Sequence, residues 1–168
     1  NDSLLNKIKD NELLHIPTHV NALAISFNLT GIKDLNLNSD IISKIYLGEI
    51  KFWDNDLIQS LNPSLNLPNI RIVPLYRKNK SGSTYIFSYY LSQTNAAWKS
   101  SIGVTPLISL EFGLSADNSS SIANLTEQIE GSISYLGFDY TIDRLNVVSL
   151  KNQSNLFIKP SIKTISEA

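Results

Sequence analysis

The sequence contains no cysteine among its 168 residues, which excludes a disulfide framework and a thiolate metal site. It carries no excess of positive charge, because 14 lysines and arginines are offset by 15 aspartates and glutamates. Domains that bind nucleic acids usually have a basic face, so we expect no nucleic-acid partner. No apolar run is long enough to cross a bilayer. The first residues lack the leader of a signal peptide, which fits a cytosolic protein, a processed secreted protein or an excised fragment.

The composition that remains is that of a globular protein with a real core. Hydrophobic residues make up 42% of the chain and charged residues 17%. The length is that of one domain. Runs rich in β-branched residues alternate with segments whose apolar residues recur at helical spacing. We therefore expect one domain over residues 1–168, with an α/β sheet flanked by helices.

Local patterns predict where the elements begin and end. Residues 70–76 form an apolar, β-branched run and predict a strand. Ser39 is a good N-cap and predicts a helix that ends at Gly48, because glycine is favoured just beyond a helix C-terminus. The other predicted elements are a strand over 20–27, a helix that ends near residue 91, a loop over 103–121, a helix over 121–129, and strands at 133–136 and 145–150.

A cationic turn connects the strand predicted at 70–76 to the next helix, and it has the chemistry of an anion site. The first turn of a helix carries unpaired N–H groups and the positive end of the helix dipole. Gly82 lets a ligand approach the backbone closely, and Ser81, Ser83 and Thr84 add hydroxyl groups. Arg77 adds a planar fork that suits tetrahedral oxyanions. The turn is therefore predicted to hold phosphate or a similar anion.

A simpler interpretation of the same turn stays open. Ser-Gly-Ser-Thr before a helix is often only an N-cap, and Arg77 with Lys78 and Lys80 is often only a solvated loop. The turn is not a Walker-A loop, since G-x-x-x-x-G-K-[ST] is absent, so the sequence gives no support for nucleotide hydrolysis.

Patterns that would indicate an enzyme or a metal site are weak. His15 and His19 flank Pro17, so they do not share a helix face. In an extended segment they would lie about 13 Å apart, too far for one metal ion. Asp54 and Asp56 stand where helix caps favour acidic residues. We therefore expect no catalytic residues, no metal and no cofactor.

The order and spacing of several short motifs resemble the phosphate-binding proteins of bacterial phosphate ABC importers. The matching stretches are Ile16-Pro17-Thr18, the run from Ile45 to Trp53, Leu61-Asn62-Pro63, Leu67-Pro68, Arg77 with Ser81-Gly82-Ser83-Thr84, Tyr89-Tyr90-Leu91, Ala97-Trp98-Lys99 and Gly131-Ser132-Ile133-Ser134-Tyr135. The resemblance implies one lobe of a type II periplasmic-binding-protein fold, with a mixed, mainly parallel sheet. The chain matches the second lobe of that fold, and the segments of the first lobe are absent.

The resemblance also implies a ligand and the residues that hold it. Arg77 would pair with inorganic phosphate, and the turn from Ser81 to Thr84 would donate hydrogen bonds. Asn79 stands where the family commonly has an aspartate that accepts the proton of phosphate and rejects sulfate. Asp2 is the candidate for a contact at the hinge.

Two functions follow as expectations. In the first, the chain binds phosphate as part of an importer. Its partners are then the missing first lobe and the ABC transporter membrane subunits. The expected location is periplasmic or extracellular, and a lipidated N-terminus outside this chain is one way in which the protein would be anchored to the membrane. In the second, the lobe is a ligand-silent extracellular interaction or scaffolding domain. Asn79, Lys80 and the missing first lobe motivate the second expectation.

Overall fold

A five-stranded mixed sheet forms the centre of the fold, and a three-stranded sheet accompanies it. The computed structural model describes residues 22–166. The strands are, in chain order, β1 (Leu23–Phe27), β2 (Asn36–Leu37), β3 (Val73–Arg77), β4 (Leu114–Ala116), β5 (Ser132–Gly137), β6 (Asn146–Val147), β7 (Ser149–Lys151) and β8 (Phe157–Ile158). The helices are α1 (Ser39–Tyr46), α2 (Asp56–Leu61), α3 (Gly82–Thr94), α4 (Ala96–Ser101), α5 (Ser119–Gln128) and α6 (Ile162–Ser166), with a 3-10 helix at Phe138–Tyr140.

The larger sheet has the strand order β4-β3-β5-β1-β6. β3 pairs in parallel with β4 and β5, whereas β1 pairs antiparallel with β5 and β6. The predicted α/β fold with a mixed sheet is therefore confirmed, and its parallel part is the three strands β4, β3 and β5. Because these three strands run in one direction, the loops that follow them meet at one edge of the sheet. Arg77 and Ala116, the last residues of β3 and β4, are partners across this ladder.

Helices cover both faces of the larger sheet, and alternate residues of β5 show this. Ile133 and Tyr135 pack in the larger core with Phe87 of α3, whereas Leu136 packs with Ile122 of α5. The rings of Phe87 and Tyr135 are stacked with their centroids 4.3 Å apart. The packing therefore fixes α3 and α5 against opposite faces of the same strand.

The strand predicted at 70–76 begins and ends later than expected, since β3 runs from Val73 to Arg77. Before it, Arg71 makes only an isolated antiparallel bridge with Phe52. The shift places Arg77 inside the ladder instead of in the turn.

The prediction of a single strand over 145–150 is wrong. Residues 146–147 pair with β1 in the larger sheet, whereas residues 149–151 pair with β2 and β8 in the smaller sheet. Between them, Val148 is buried and donates its N–H to the carbonyl oxygen of Ile25, at 2.9 Å. The chain therefore passes from one sheet to the other at Val148.

Two further boundaries differ from the prediction. The region 103–121, predicted as a loop, contains β4 and the first residues of α5. The N-cap of α1 is Asn38 instead of Ser39, because the Asn38 side chain accepts the N–H of Ile41 at 2.8 Å. Gly48 does end this helix as predicted, with a φ of +79° just beyond the C-cap Leu47. Among residues 22–166, no helix has the length and apolar character that a membrane span requires.

Gly131 and Gly31 offer a matched test of backbone packing, since both have a left-handed conformation, with φ values of +81° and +78°. A Cβ at Gly131 would lie 2.5 Å from the carbonyl oxygen of Arg71, whereas a Cβ at Gly31 would meet nothing within 4 Å. We expect Gly31→Ala to lower the free energy of unfolding by about 1–2 kcal/mol, because only the left-handed conformation is penalised. Gly131→Ala should lower it by about 3–4 kcal/mol, because the backbone at Arg71 must also move.

Urea unfolding followed by tryptophan fluorescence measures both losses. Trp53 is a suitable reporter, because its indole N–H donates to the carbonyl oxygen of Gly131 at 3.0 Å. Equal losses in the two variants would contradict the close contact at Gly131.

Candidate functional site

The candidate site lies where β3 ends and α3 begins, at the edge where the parallel strands terminate. The backbone of the connecting turn is held at both ends. Lys78 donates its N–H to the carbonyl oxygen of Ala116 at 3.0 Å, and Ser81 donates its N–H to that of Pro106 at 2.9 Å. These bonds fix the start of α3 relative to the end of the sheet.

Ser81 is the N-cap of α3, which is the role that the simpler interpretation of the turn gave to this motif. Its hydroxyl oxygen accepts the N–H of Thr84 at 3.1 Å, and its carbonyl oxygen accepts the N–H of Tyr85 at 3.1 Å. Within residues 22–166, the N–H groups of Gly82 and Ser83 have no hydrogen-bond partner. A Cβ at Gly82 would meet no atom within 4 Å, so the backbone there is open to a ligand. Two adjacent amide donors are therefore available at the positive end of the helix.

The Arg77 side chain is half-buried and is held by groups that follow β4. Its Nη2 donates to the carbonyl oxygen of Asp117 at 2.9 Å, and its Nη1 donates to the hydroxyl of Ser119 at 3.3 Å. Its Nε is buried and has no partner among the described residues. The guanidinium is thus oriented by the protein but still has hydrogens to give.

Thr84 faces inward, and its hydroxyl is hydrogen-bonded within the protein. It lies 2.8 Å from the hydroxyl of Ser81 and 2.8 Å from that of Tyr135, and Thr84 is completely buried. The Tyr135 hydroxyl in turn accepts the N–H of Arg77 at 3.3 Å. Burial raises the pKa of the Tyr135 phenol, and the hydrogen bond with Thr84 partly offsets that effect. A continuous chain of hydrogen bonds therefore links Ser81 at the helix start to Arg77 at the strand end.

Asn79 does not stand alone at the rim of the site, because Asp117 lies beside it. The Asn79 Nδ2 donates to the Oδ1 of Asp117 at 3.1 Å. Lys78 also reaches that oxygen, at 3.2 Å, in an ion pair whose side chains are 61% and 62% exposed, so it contributes little to stability. A carboxylate only accepts hydrogen bonds, so Asn79 must turn its NH2 group toward Asp117. The carbonyl oxygen of the Asn79 side chain is then the end that is left for a ligand.

A second helix start flanks Arg77. Asn118 is the N-cap of α5, and its side chain accepts the N–H of Ser121 at 2.8 Å. This helix places Ser119 against the Arg77 guanidinium. The sequence predicted this helix over 121–129, so its start was placed two residues too late and Ser119 was left in the loop. The signal that could have found it is Asn118 itself, a good N-cap that directly precedes the helix.

The structure therefore brings Arg77, Asn79 and Ser81–Thr84 together, while their roles as ligand contacts stay predictions. Tyr135, Asp117 and Ser119 complete the site and were missed. Asp2, the candidate hinge contact, lies outside the described residues, as do His15 and His19. Among the residues that the structure describes, no group of three His, Cys, Asp or Glu side chains could hold a metal ion.

Helix starts gathered at the carboxyl ends of parallel strands are typical of ligand-binding α/β domains. A family model described as a PBP superfamily domain matches residues 2–166. The chain belongs to this superfamily, as the resemblance of its motifs predicted.

Two curated relatives with similar sequences are both phosphate-binding proteins named PstS. The chain is 30% identical to the phosphate-binding protein PstS of Haemophilus influenzae over 164 residues, which cover 96% of this chain and 49% of that protein. It is 29% identical to the phosphate-binding protein PstS of Methanocaldococcus jannaschii over 165 residues, which cover 92% of this chain and 42% of that protein. The chain thus spans about half the length of the curated relatives it matches.

Solved structures confirm the fold. A high-affinity periplasmic phosphate-binding protein, PfluDING, solved with bound phosphate, superposes with a TM-score of 0.65 at 22% identity, over 88% of this chain and 42% of that one. PstS from Borrelia burgdorferi gives a TM-score of 0.62 at 21% identity, over 88% and 52% of the two chains. The shared fold is that of the type II periplasmic binding proteins, as predicted.

The buried phenol of Tyr135 makes stability depend on alkaline pH. Folding raises its pKa above the ordinary value of 10.0, so below that pH both folded and unfolded states keep the proton. Above it the unfolded state loses the proton first, and the free energy of unfolding falls as the pH rises. We expect Tyr135→Phe to make this fall shallower above about pH 10. Near neutral pH the variant should lose about 1 kcal/mol through its missing hydrogen bonds.

Urea unfolding across this pH range checks the expectation, with Tyr89→Phe as the matched control because Tyr89 is 50% exposed. The control should keep the pH dependence of the parent protein. If both variants flattened the curve equally, the effect could not come from the burial of Tyr135.

Proposed function

We propose that this chain binds inorganic phosphate, or a similar tetrahedral oxyanion, as one lobe of the substrate-binding component of a phosphate ABC importer. The observation that carries the proposal is the pair of open N–H groups at Gly82 and Ser83 beside the incompletely paired guanidinium of Arg77. Its support from relatives is that both PstS proteins are named for phosphate binding. The chemistry is binding without a catalytic step, and it needs no cofactor.

Binding at this turn replaces the water around the anion with fixed donors. The amides of Gly82 and Ser83 and the hydroxyls of Ser81 and Ser83 donate to oxygen atoms, and Arg77 balances the charge. The hydrogen bonds that the guanidinium donates to Asp117 and Ser119 hold it in place before the ligand arrives, which lowers the entropic cost of binding.

A second lobe belongs to the proposal. The site would contact the anion from one side, and the chain spans about half the length of the curated relatives it matches. The missing first lobe would close over the opposite side of the ligand. In an importer the closed protein would then meet the membrane subunits of the transporter, at a periplasmic or extracellular location.

Arg77 provides the direct test. We expect phosphate to shift the amide resonances of Gly82 and Ser83 in a 15N NMR titration, which detects the weak binding of a single lobe. Arg77→Ala should weaken that binding about 10- to 100-fold, because charged hydrogen bonds contribute about 1.5–3 kcal/mol. Lys78→Ala is the matched control, since the Lys78 side chain is 61% exposed and its ammonium is paired with Asp117. It should change the affinity less than about fivefold.

The proposal would be overturned if the protein is well folded and phosphate shifts neither the Gly82 nor the Ser83 amide resonance. The chain would then be better described by the second expectation, an extracellular interaction or scaffolding domain without a ligand.

The orientation of Asn79 leads to a prediction about selectivity. Near pH 8 phosphate carries a proton that an acceptor at the rim can bind, whereas sulfate has no proton to give. With Asp117 holding its NH2 group, Asn79 presents its carbonyl oxygen to the ligand. We expect phosphate to bind more tightly than sulfate, and we expect Asp117→Asn to reduce the affinity ratio, because the Asn79 amide is then free to turn.

The same NMR titration with each anion gives the ratio of the phosphate affinity to the sulfate affinity. Removing the charge of Asp117 affects the binding of both dianions equally, so this effect cancels in the ratio. Asp34→Asn is the control for removing a distant exposed carboxylate. An unchanged ratio in Asp117→Asn would show that Asn79 is not oriented by Asp117.

A further inference from the structure

A second concave site lies at the opposite end of the larger sheet. It is a cavity of about 340 Å³ between the end of α1 and the approaches to β3 and β4. Its volume is within the range of about 300–1,000 Å³ that small-molecule sites occupy. The residues that line it are Ile45, Leu47, Gly48, Ile50, Lys51, Arg71, Ile72, Pro74, Glu111 and Phe112. We refer to it as the α1–β3 cavity.

The floor and one wall of the α1–β3 cavity are apolar. Ile45, Ile50 and Ile72 belong to the buried core and form the floor. Phe112 forms the wall and lies directly over Gly48, where a Cβ would be 2.9 Å from the ring. A ligand in this cavity would therefore place an apolar body against aliphatic and aromatic side chains.

The charged side chains that line the cavity are not ion-paired with one another. Lys51, Arg71 and Glu111 are all exposed, and the ion pairs found among residues 22–166 involve none of them. The backbones at Lys51 and Arg71 are nevertheless fixed next to each other, since Ile72 donates its N–H to the carbonyl oxygen of Lys51 at 2.9 Å and Phe52 forms an antiparallel bridge with Arg71. Two cations against one carboxylate leave the cavity with a net positive charge.

The cavity is separate from the candidate phosphate site. Arg71 and Arg77 are six positions apart along an extended segment, which puts them about 20 Å apart. Arg71 precedes β3 at its amino end, whereas Arg77 is its last residue. A ligand in the α1–β3 cavity would therefore not touch the turn at Ser81–Thr84.

We propose that the α1–β3 cavity is a binding site for a small amphipathic monoanion, a carboxylate or sulfonate with an apolar body. The body packs against Phe112 and the isoleucine floor, and the anionic group lies between Lys51 and Arg71. Guanidinium and ammonium groups together suit such an oxyanion, because the former binds two oxygens at once. The volume and the excess of a single positive charge favour a monoanion over a larger polyanion.

Two dyes that differ in one sulfonate group test the proposal on the whole 168-residue chain. 1-Anilinonaphthalene-8-sulfonate is an anion with an aromatic body, and N-phenyl-1-naphthylamine is its neutral counterpart. We expect saturable binding of one sulfonate dye per chain, displaced by octanoate, and weaker binding of the neutral dye. Lys51→Gln and Arg71→Gln should each weaken binding of the sulfonate dye about two- to fivefold and leave binding of the neutral dye unchanged.

Glu111→Gln gives a result of opposite sign, since removing the carboxylate should tighten binding of the sulfonate dye. Lys33→Gln is the matched control, because Lys33 is an exposed lysine that does not line the cavity. Near-UV circular dichroism confirms that each variant is folded. The proposal is overturned if the sulfonate dye does not saturate at one site, or if Lys51→Gln and Glu111→Gln bind it as the parent protein does.

Discussion

The hydrogen bonds of the Tyr135 hydroxyl hold the candidate site together. This hydroxyl accepts the backbone N–H of Arg77 and lies 2.8 Å from the hydroxyl of Thr84, so one buried atom joins the end of β3 to the first turn of α3. Its ring is stacked on Phe87 in the core. Core packing therefore sets the distance between the guanidinium and the open amides, and this distance does not depend on the flexibility of a surface loop.

The sequence was informative where the chemistry is local. Ser81 caps the helix four residues after Arg77, and both belong to one strand-turn-helix unit that hydrophobic periodicity reveals. Tyr135, Ser119 and Asp117 contact Arg77 from 58, 42 and 40 positions away. No local pattern connects them, because the pairing of β3 with β4 and β5 brings them together. The edge strand β4 was missed for a related reason, since three residues are too few to show a period.

The error at 145–150 has the same physical origin. An apolar run predicts that residues are buried in a sheet but not which sheet they join. Here Val147 is buried in the larger sheet and Leu150 packs in the smaller one, with the crossing at Val148. Only the positions of β1 and β2 decide where the chain changes partner.

The unpaired Nε of Arg77 also bears on the proposed binding of an anion. Its Nε is a buried donor that no described residue satisfies, and such a donor is destabilising by about 1–3 kcal/mol. An oxyanion that reaches it would recover this energy in addition to the bonds at Gly82 and Ser83. The other side of the ion would still face water, because these donors lie on one side of it. Strong binding then depends on a second surface that removes the remaining water, which is why the proposed function requires a second lobe.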